Sequence, residues 1–243
     1  MIGASSRTAG LGQTGTLENQ GLRLELNVSD ASMRLIDKGT GVVWALGSPQ
    51  IVLADGRAEP VRPVGGVTQT QETLTYRSDF GLEFRLRLVQ DPPAVEYRFI
   101  GEFQPSASPR IKEVHLFHNS LAVGPGEANY FAIPHRMGIL RRAGGDGDRP
   151  ASRRLAYSNG YSMAMMGAVQ NGSALLVSWD TPEASLLVDD AARPQPRLSA
   201  GIALQEPGHP VRLQPLVLVS QVWRRIGSEP AGEIPSGGSM VKQ

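Results

Sequence analysis

The sequence predicts an all-β fold, two stacked antiparallel sheets holding roughly 15 strands with little helix. Three observations carry this. Leu22, Leu24, Leu26 and Val28 alternate with Arg23, Glu25 and Asn27, and Leu82, Phe84, Leu86 and Leu88 alternate with Glu83, Arg85 and Arg87. A period of two places one face of a strand on a core and the other in water. Turn signals recur throughout, supplied by 28 glycines and 18 prolines. No amphipathic pattern of three helical turns is visible before residue 220.

The elements follow in order. Residues 1–19 are rich in Gly, Ser and Thr and are expected to form a flexible lead-in. The strand from Leu22 turns at Ser29-Asp30 into ASMRLIDK, and Gly39-Thr40-Gly41 turns the chain into VVWAL, a meander with Trp44 in the core. IVLA ends at Asp55-Gly56. VTQTQ and ETLTYRS form a pair rich in β-branched residues, followed by the strand of Leu82–Leu88. After Asp91-Pro92-Pro93, Val95, Tyr97, Phe99 and Phe103 share a face, and IKEVHLFH is the next strand. ASLLVD, the alternating Leu198, Ala200, Ile202 and Leu204, and VRLQPLVLVS close the series. SQVWRRI is read as a possible helix start, halted by Gly227, Pro230 and Gly232. The division expected is a domain over 20–226 and a linker or tail over 227–243, with Trp223 at the exit as a plug for another domain.

The richest stretch runs from Tyr130 to Glu183. It opens with YFAIPHRMG, which presents His135 and Arg136, and ends in two apolar strands joined by Asn171-Gly172. That dipeptide is a strong hairpin signal, because both residues tolerate positive φ. Between them lies a polar segment of about 18 residues, long enough to be functional. Tyr157, Tyr161 and Trp179 border it, with Asp180 and Glu183 beyond. Aromatic faces beside charged groups suit the C–H face of a pyranose, so Tyr130, His135, Arg136, Tyr157, Tyr161, Trp179, Asp180 and Glu183 form the candidate carbohydrate-binding set. Core packing and local ion pairs, such as Arg136 with Glu127, are the competing explanations.

Other chemistry is weaker. The chain has no cysteine and four histidines, none in an HxxxH or HExxH arrangement. No metal site or cofactor is expected; His115 is read as a satisfied sheet residue. Asp146-Gly147-Asp148 resembles a fragment of a calcium loop without its further acidic ligands. No phosphate-binding loop and no GxSxG elbow is present. A hydrolytic carboxylate pair is not selected by spacing among Asp180, Glu183, Asp189 and Glu206. A net charge of +1, from 24 basic and 23 acidic residues, gives no support to a nucleic-acid partner. No membrane span is expected, because no apolar run reaches about 18 residues. The compartment is extracellular or periplasmic if a leader was removed, and otherwise cytoplasmic.

Asp37-Lys38-Gly39-Thr40-Gly41-Val42-Val43-Trp44, with the later phrases IPHRMG and YSMAMMGAVQNGSALLVSWDTPEA, resembles the galactose-mutarotase-like supersandwich of large glycoside hydrolases, the endo-α-N-acetylgalactosaminidase-like enzymes and their relatives. The resemblance spans roughly residues 18–226 and implies a β-supersandwich that braces a C-terminal (β/α)8 catalytic barrel in the same chain and is not itself catalytic. It also implies that a loop, here 143–160, reaches the rim of the active site. The same fold class includes aldose 1-epimerases, which use histidines and a glutamate. Their Asn-His order is reversed here as His118-Asn119, and LQEPGHP departs from their C-terminal phrase. On an epimerase or lyase-like reading, His118, His135 and Glu206 would be acid, partner and base. A purely structural module is the third reading.

Overall fold

The structure is a computed structural model of the chain, described here for residues 7–9, 14–90, 93–100, 102–103, 111–126, 129–133, 139–142, 153–156, 165–179, 185–190, 197–203, 211–212 and 218–224. These residues contain no helix, and every strand pair is antiparallel. In chain order the strands are β1 (Arg7–Ala9), β2 (Thr14–Glu18), β3 (Leu22–Asn27), β4 (Met33–Asp37), β5 (Val43–Leu46), β6 (Gln50–Leu53), β7 (Ala58–Pro60), β8 (Pro63–Gln69), β9 (Thr73–Ser78), β10 (Glu83–Val89) and β11 (Ala94–Ile100). There follow β12 (Glu102–Phe103), β13 (Ile111–Ala122), β14 (Tyr130–Ile133), β15 (Ile139–Arg142), β16 (Arg153–Ala156), β17 (Met165–Gln170), β18 (Ser173–Trp179), β19 (Ser185–Asp190), β20 (Arg197–Ala203), β21 (Val211–Arg212) and β22 (Leu218–Arg224).

One layer is a ten-stranded sheet in the order β1-β8-β9-β10-β11-β22-β18-β17-β14-β15. The other is made of a six-stranded sheet, β16-β19-β20-β13-β6-β7, and a four-stranded meander, β2-β3-β4-β5, whose β5 lies alongside β13. β12 and β21 form a separate pair. The core phases of the alternating strands meet between the layers. Leu22, Leu24, Leu26, Leu35 and Trp44 from the meander join Leu74, Tyr76, Phe84, Leu86, Leu175 and Val177 from the large sheet in one buried cluster. Each such side chain contributes roughly 1.5–3 kcal/mol relative to full exposure. Phe84 stacks on Tyr76 with centroids 5.0 Å apart, and the buried Tyr76 and Tyr97 hydroxyls lie 3.0 Å from each other. Burial removes water from both phenols, so their ionisation is pushed well above the usual tyrosine range.

Three sequence expectations need correction. The lead-in expected to be flexible over 1–19 contains β1, paired with β8, and β2, paired with β3. Leu17 of β2 is buried, and Gly15 lies so close to β9 that a Cβ there would come within 2.9 Å of Leu74 Cδ2. SQVWRRI does not begin a helix: its first residues belong to β22, inserted between β11 and β18. Pairing on both edges satisfies the backbone as strand, overriding local preference. The segment 143–160, read as one loop, includes β16, which pairs with β19.

Candidate functional site

The stretch from Tyr130 to Glu183 folds largely into neighbouring strands, because β14, β17 and β18 lie side by side. Asn171 and Gly172 have φ of 50° and 79°, as the hairpin between β17 and β18 requires. A polar lattice ties this hairpin to the DKGTG turn. The buried Asp37 accepts from the Gly39 backbone N–H (2.9 Å), the Thr40 hydroxyl (2.6 Å) and the Ser173 hydroxyl (3.0 Å). Asn129 accepts from the Asn171 N–H and donates to the Gly124 and Pro125 carbonyls, while the Gln170 side chain accepts from the Gly124 N–H. The DKGTG phrase therefore holds two sheets together at one end of the sandwich.

The outward face of the large sheet divides in two. Across β9, β10 and β11 it is charged. Register places Arg77 beside Glu83, Arg85 beside Arg98, and Arg87 beside Glu96. Arg87 grips Glu96 through two hydrogen bonds of 2.9 and 2.8 Å. Across β18, β17 and β14 the same face carries no charged side chain. Met165 lies opposite Ser178, Gly167 opposite Leu176 and Ala132, and Val169 opposite Ala174 and Tyr130. All of these residues are half-buried, whereas their alternates Phe131, Met166, Ala168, Leu175 and Val177 belong to the core. The backbone row Tyr130-Val169-Ala174 continues to Trp223 on β22.

The second arrangement is on β13. Glu113 and His115, two residues apart in one strand phase, are both buried and joined by a 2.9 Å hydrogen bond between His115 Nε2 and Glu113 Oε2. Their register partners on β20 are Ala203 and Gly201. Between His115 and Leu121 the pairing with β20 is interrupted twice, so β13 bulges where His118 and Asn119 stand. Bulges re-aim side chains and are frequent beside functional sites. The pair satisfies the reading of His115 as a bonded sheet residue. Sequence reasoning did not foresee Glu113 as its partner; the E-x-H spacing on one strand was the available signal.

Of the proposed carbohydrate set, Tyr130 stands on β14 and is half-buried on the outward face. Trp179 ends β18, and His118 lies in β13, with backbone alone described at both. His135, Arg136, Tyr157, Tyr161, Asp180, Glu183 and Glu206 lie outside the described residues, as do Asp146, Asp148 and Glu127. Trp44 is buried in the core as expected. Among the described residues no group of three or more His, Asp or Glu could hold a metal ion, and no helix is long and apolar enough to cross a membrane.

The architecture is the galactose mutarotase-like β-fold. No protein-family model matches the chain, and no curated protein matches it in sequence. Among solved structures, the α-N-acetylgalactosaminidase NagBb of Bifidobacterium bifidum in complex with GalNAc is similar in fold. It is 12% identical with a TM-score of 0.66, over 87% of this chain and 36% of that one. The same enzyme in complex with Gal-NHAc-DNJ is 14% identical, with a TM-score of 0.66. A galactose mutarotase-like protein of Lactobacillus casei is 12% identical with a TM-score of 0.51, over 87% of this chain and 100% of that one. The chain thus spans about a third of the length of the glycosidase it matches.

Proposed function

We propose that this chain is a non-catalytic, carbohydrate-associated module of a glycoside hydrolase, which braces a (β/α)8 catalytic barrel and touches glycan from the Tyr130–Glu183 stretch. The observation that carries the reading is the asymmetry of the fold match: nearly the whole chain corresponds to only 36% of a glycosidase. The wiring of the DKGTG phrase into the sandwich also supports a structural role, since Asp37 is engaged in holding two sheets together. Sequencing the source gene through its natural stop codon, then assaying the encoded protein on α-linked N-acetylgalactosaminides, tests it. A frame that continues into several hundred residues of alternating strand and helix, with hydrolysis confined to the longer product, is the expected result. A frame that stops at Gln243 overturns it.

A second reading, a stand-alone aldose-1-epimerase-like enzyme, draws on the full-length fold match to the Lactobacillus casei protein and on the bulge of β13 at His118. Mutarotation of simple aldoses by the 243-residue chain, lost in His118→Ala, is its test.

A further inference from the structure

We infer that the uncharged outward face of β18, β17 and β14 is the seat on which a further domain of the same polypeptide docks; this rests on the module reading above. Three observations lead there. The first is chemical contrast within one sheet: the outward phase is mainly Arg, Glu and Thr across β9–β11, with Val89 and Ala94 at one end, and becomes Met165, Gly167, Val169, Ala174, Leu176 and Ala132 a few strands away. A contiguous uncharged stretch beside a charged one on the same face is where contact with another body costs least in desolvation. The second is Gly167. It is interior to β17, and a Cβ there would sit 3.3 Å from the Ala132 Cβ. A strand glycine with small neighbours keeps the face low, as close approach by another body requires.

The third is size. Three strands spaced about 4.8 Å apart, each offering about five residues at 3.3 Å, make a face of roughly 240 Å². A stable dimer needs about 800 Å² from each partner, which argues against a second copy as the occupant. A covalently tethered domain is held at an effective concentration on the order of mM and manages with less. Tyr130 stands at the margin of the face, next to Arg142 in register, where a glycan at the seam would meet it.

Adjacent methionines supply the test. Met165 is half-buried on this face and Met166 is in the core. Hydroxyl-radical footprinting is done on the 243-residue chain and on the natural gene product, with Met165 oxidation normalised to Met166. The expected result is oxidation of Met165 in the 243-residue chain that falls several-fold in the longer protein, and returns there when Leu176→Lys places a charge on the face. Circular dichroism of L176K in the 243-residue chain verifies that its fold is kept. Equal oxidation in the two proteins overturns the docking inference while leaving the module reading standing. Protection that appears in the 243-residue chain with rising concentration, or with added N-acetylgalactosamine oligosaccharides, overturns it in favour of a second copy or a glycan. A gene product that ends at Gln243 overturns both.

Discussion

Ser173 donates its hydroxyl to Asp37 Oδ2 across 3.0 Å and 136 residues of sequence, and both residues are buried. The bond fastens the turn between β4 and β5 to the first residue of β18. Ser173→Ala is expected to cost roughly 1–3 kcal/mol, because it takes one donor from a buried carboxyl oxygen. Asp37→Ala also deprives Thr40 and the Gly39 N–H of their acceptor, and is expected to cost about 3 kcal/mol or more. Urea unfolding of the single and double variants measures this. Their coupling should reach about 1 kcal/mol, and purely additive losses would mean that the bond does not form.

Gly15 is a packing constraint. Its absent Cβ would meet Leu74 Cδ2 at 2.9 Å, between β2 and the large sheet. Gly15→Ala is expected to lower stability by about 1–3 kcal/mol through overpacking. Adding Leu74→Val should cost less than the sum of the two changes, which thermal unfolding of the four proteins measures.

Gln69 closes the free edge of β2: its Nε2 donates to the Thr16 carbonyl at 2.7 Å and its Oε1 accepts from the Thr16 N–H at 3.4 Å. Gln69→Leu leaves both backbone groups without these partners and is expected to cost about 1–3 kcal/mol. Gln69→Glu places a carboxylate against the Thr16 carbonyl, which favours the protonated acid in the folded state. The folded pKa is then raised, so stability is full below the ordinary glutamate range and falls as pH rises through the shifted value. Chemical denaturation at pH 4 and pH 7 distinguishes this from a variant indifferent to pH.

Tyr76 and Tyr97 are expected to weaken the fold in alkali. Both folded pKa values are raised, by burial above all. Each phenol therefore stays protonated when folded and ionises near pH 10 when unfolded, so stability is complete below about pH 10 and declines by up to about 1.4 kcal/mol per pH unit for each residue above it. Ultraviolet titration should show two of the five tyrosines ionising only as the protein unfolds. Early ionisation of all five would contradict the buried pair.

The strands with strict alternation were legible because one face of each meets the core and the other meets water. β3, with Leu22, Leu24 and Leu26 inward, and β10, with Phe84, Leu86 and Leu88 inward, show this directly. β17 and β18 were legible through Asn171-Gly172. β2 was hidden because its inward positions are Gly15 and Leu17, too little apolar signal for a periodicity argument. β22 was hidden because LVSQVWR lacks the apolar–polar alternation that marks a half-exposed strand: Val219 and Trp223 share the phase of Gln221, and Ser220 the phase of Leu218 and Val222. Of the site, the neighbourhood of Tyr130 with the NG hairpin was visible in sequence. The division of the outward face into charged and uncharged halves was not, since Arg87 and Leu176 become parts of one face only through the insertion of β22 between their strands.

That insertion has a consequence for how the molecule is made. Within the ten-stranded sheet, β1 to β11 and β14 to β18 meet only through β22. A polypeptide emerging from the ribosome amino end first holds two open ladders, with the edges of β11 and β18 unsatisfied, until residues 218–224 are released. Open edges of this kind recruit other chains. Synthesis itself thus leaves an interval in which chaperone capture and misassembly compete with closure, and a product truncated before residue 218 keeps both edges open.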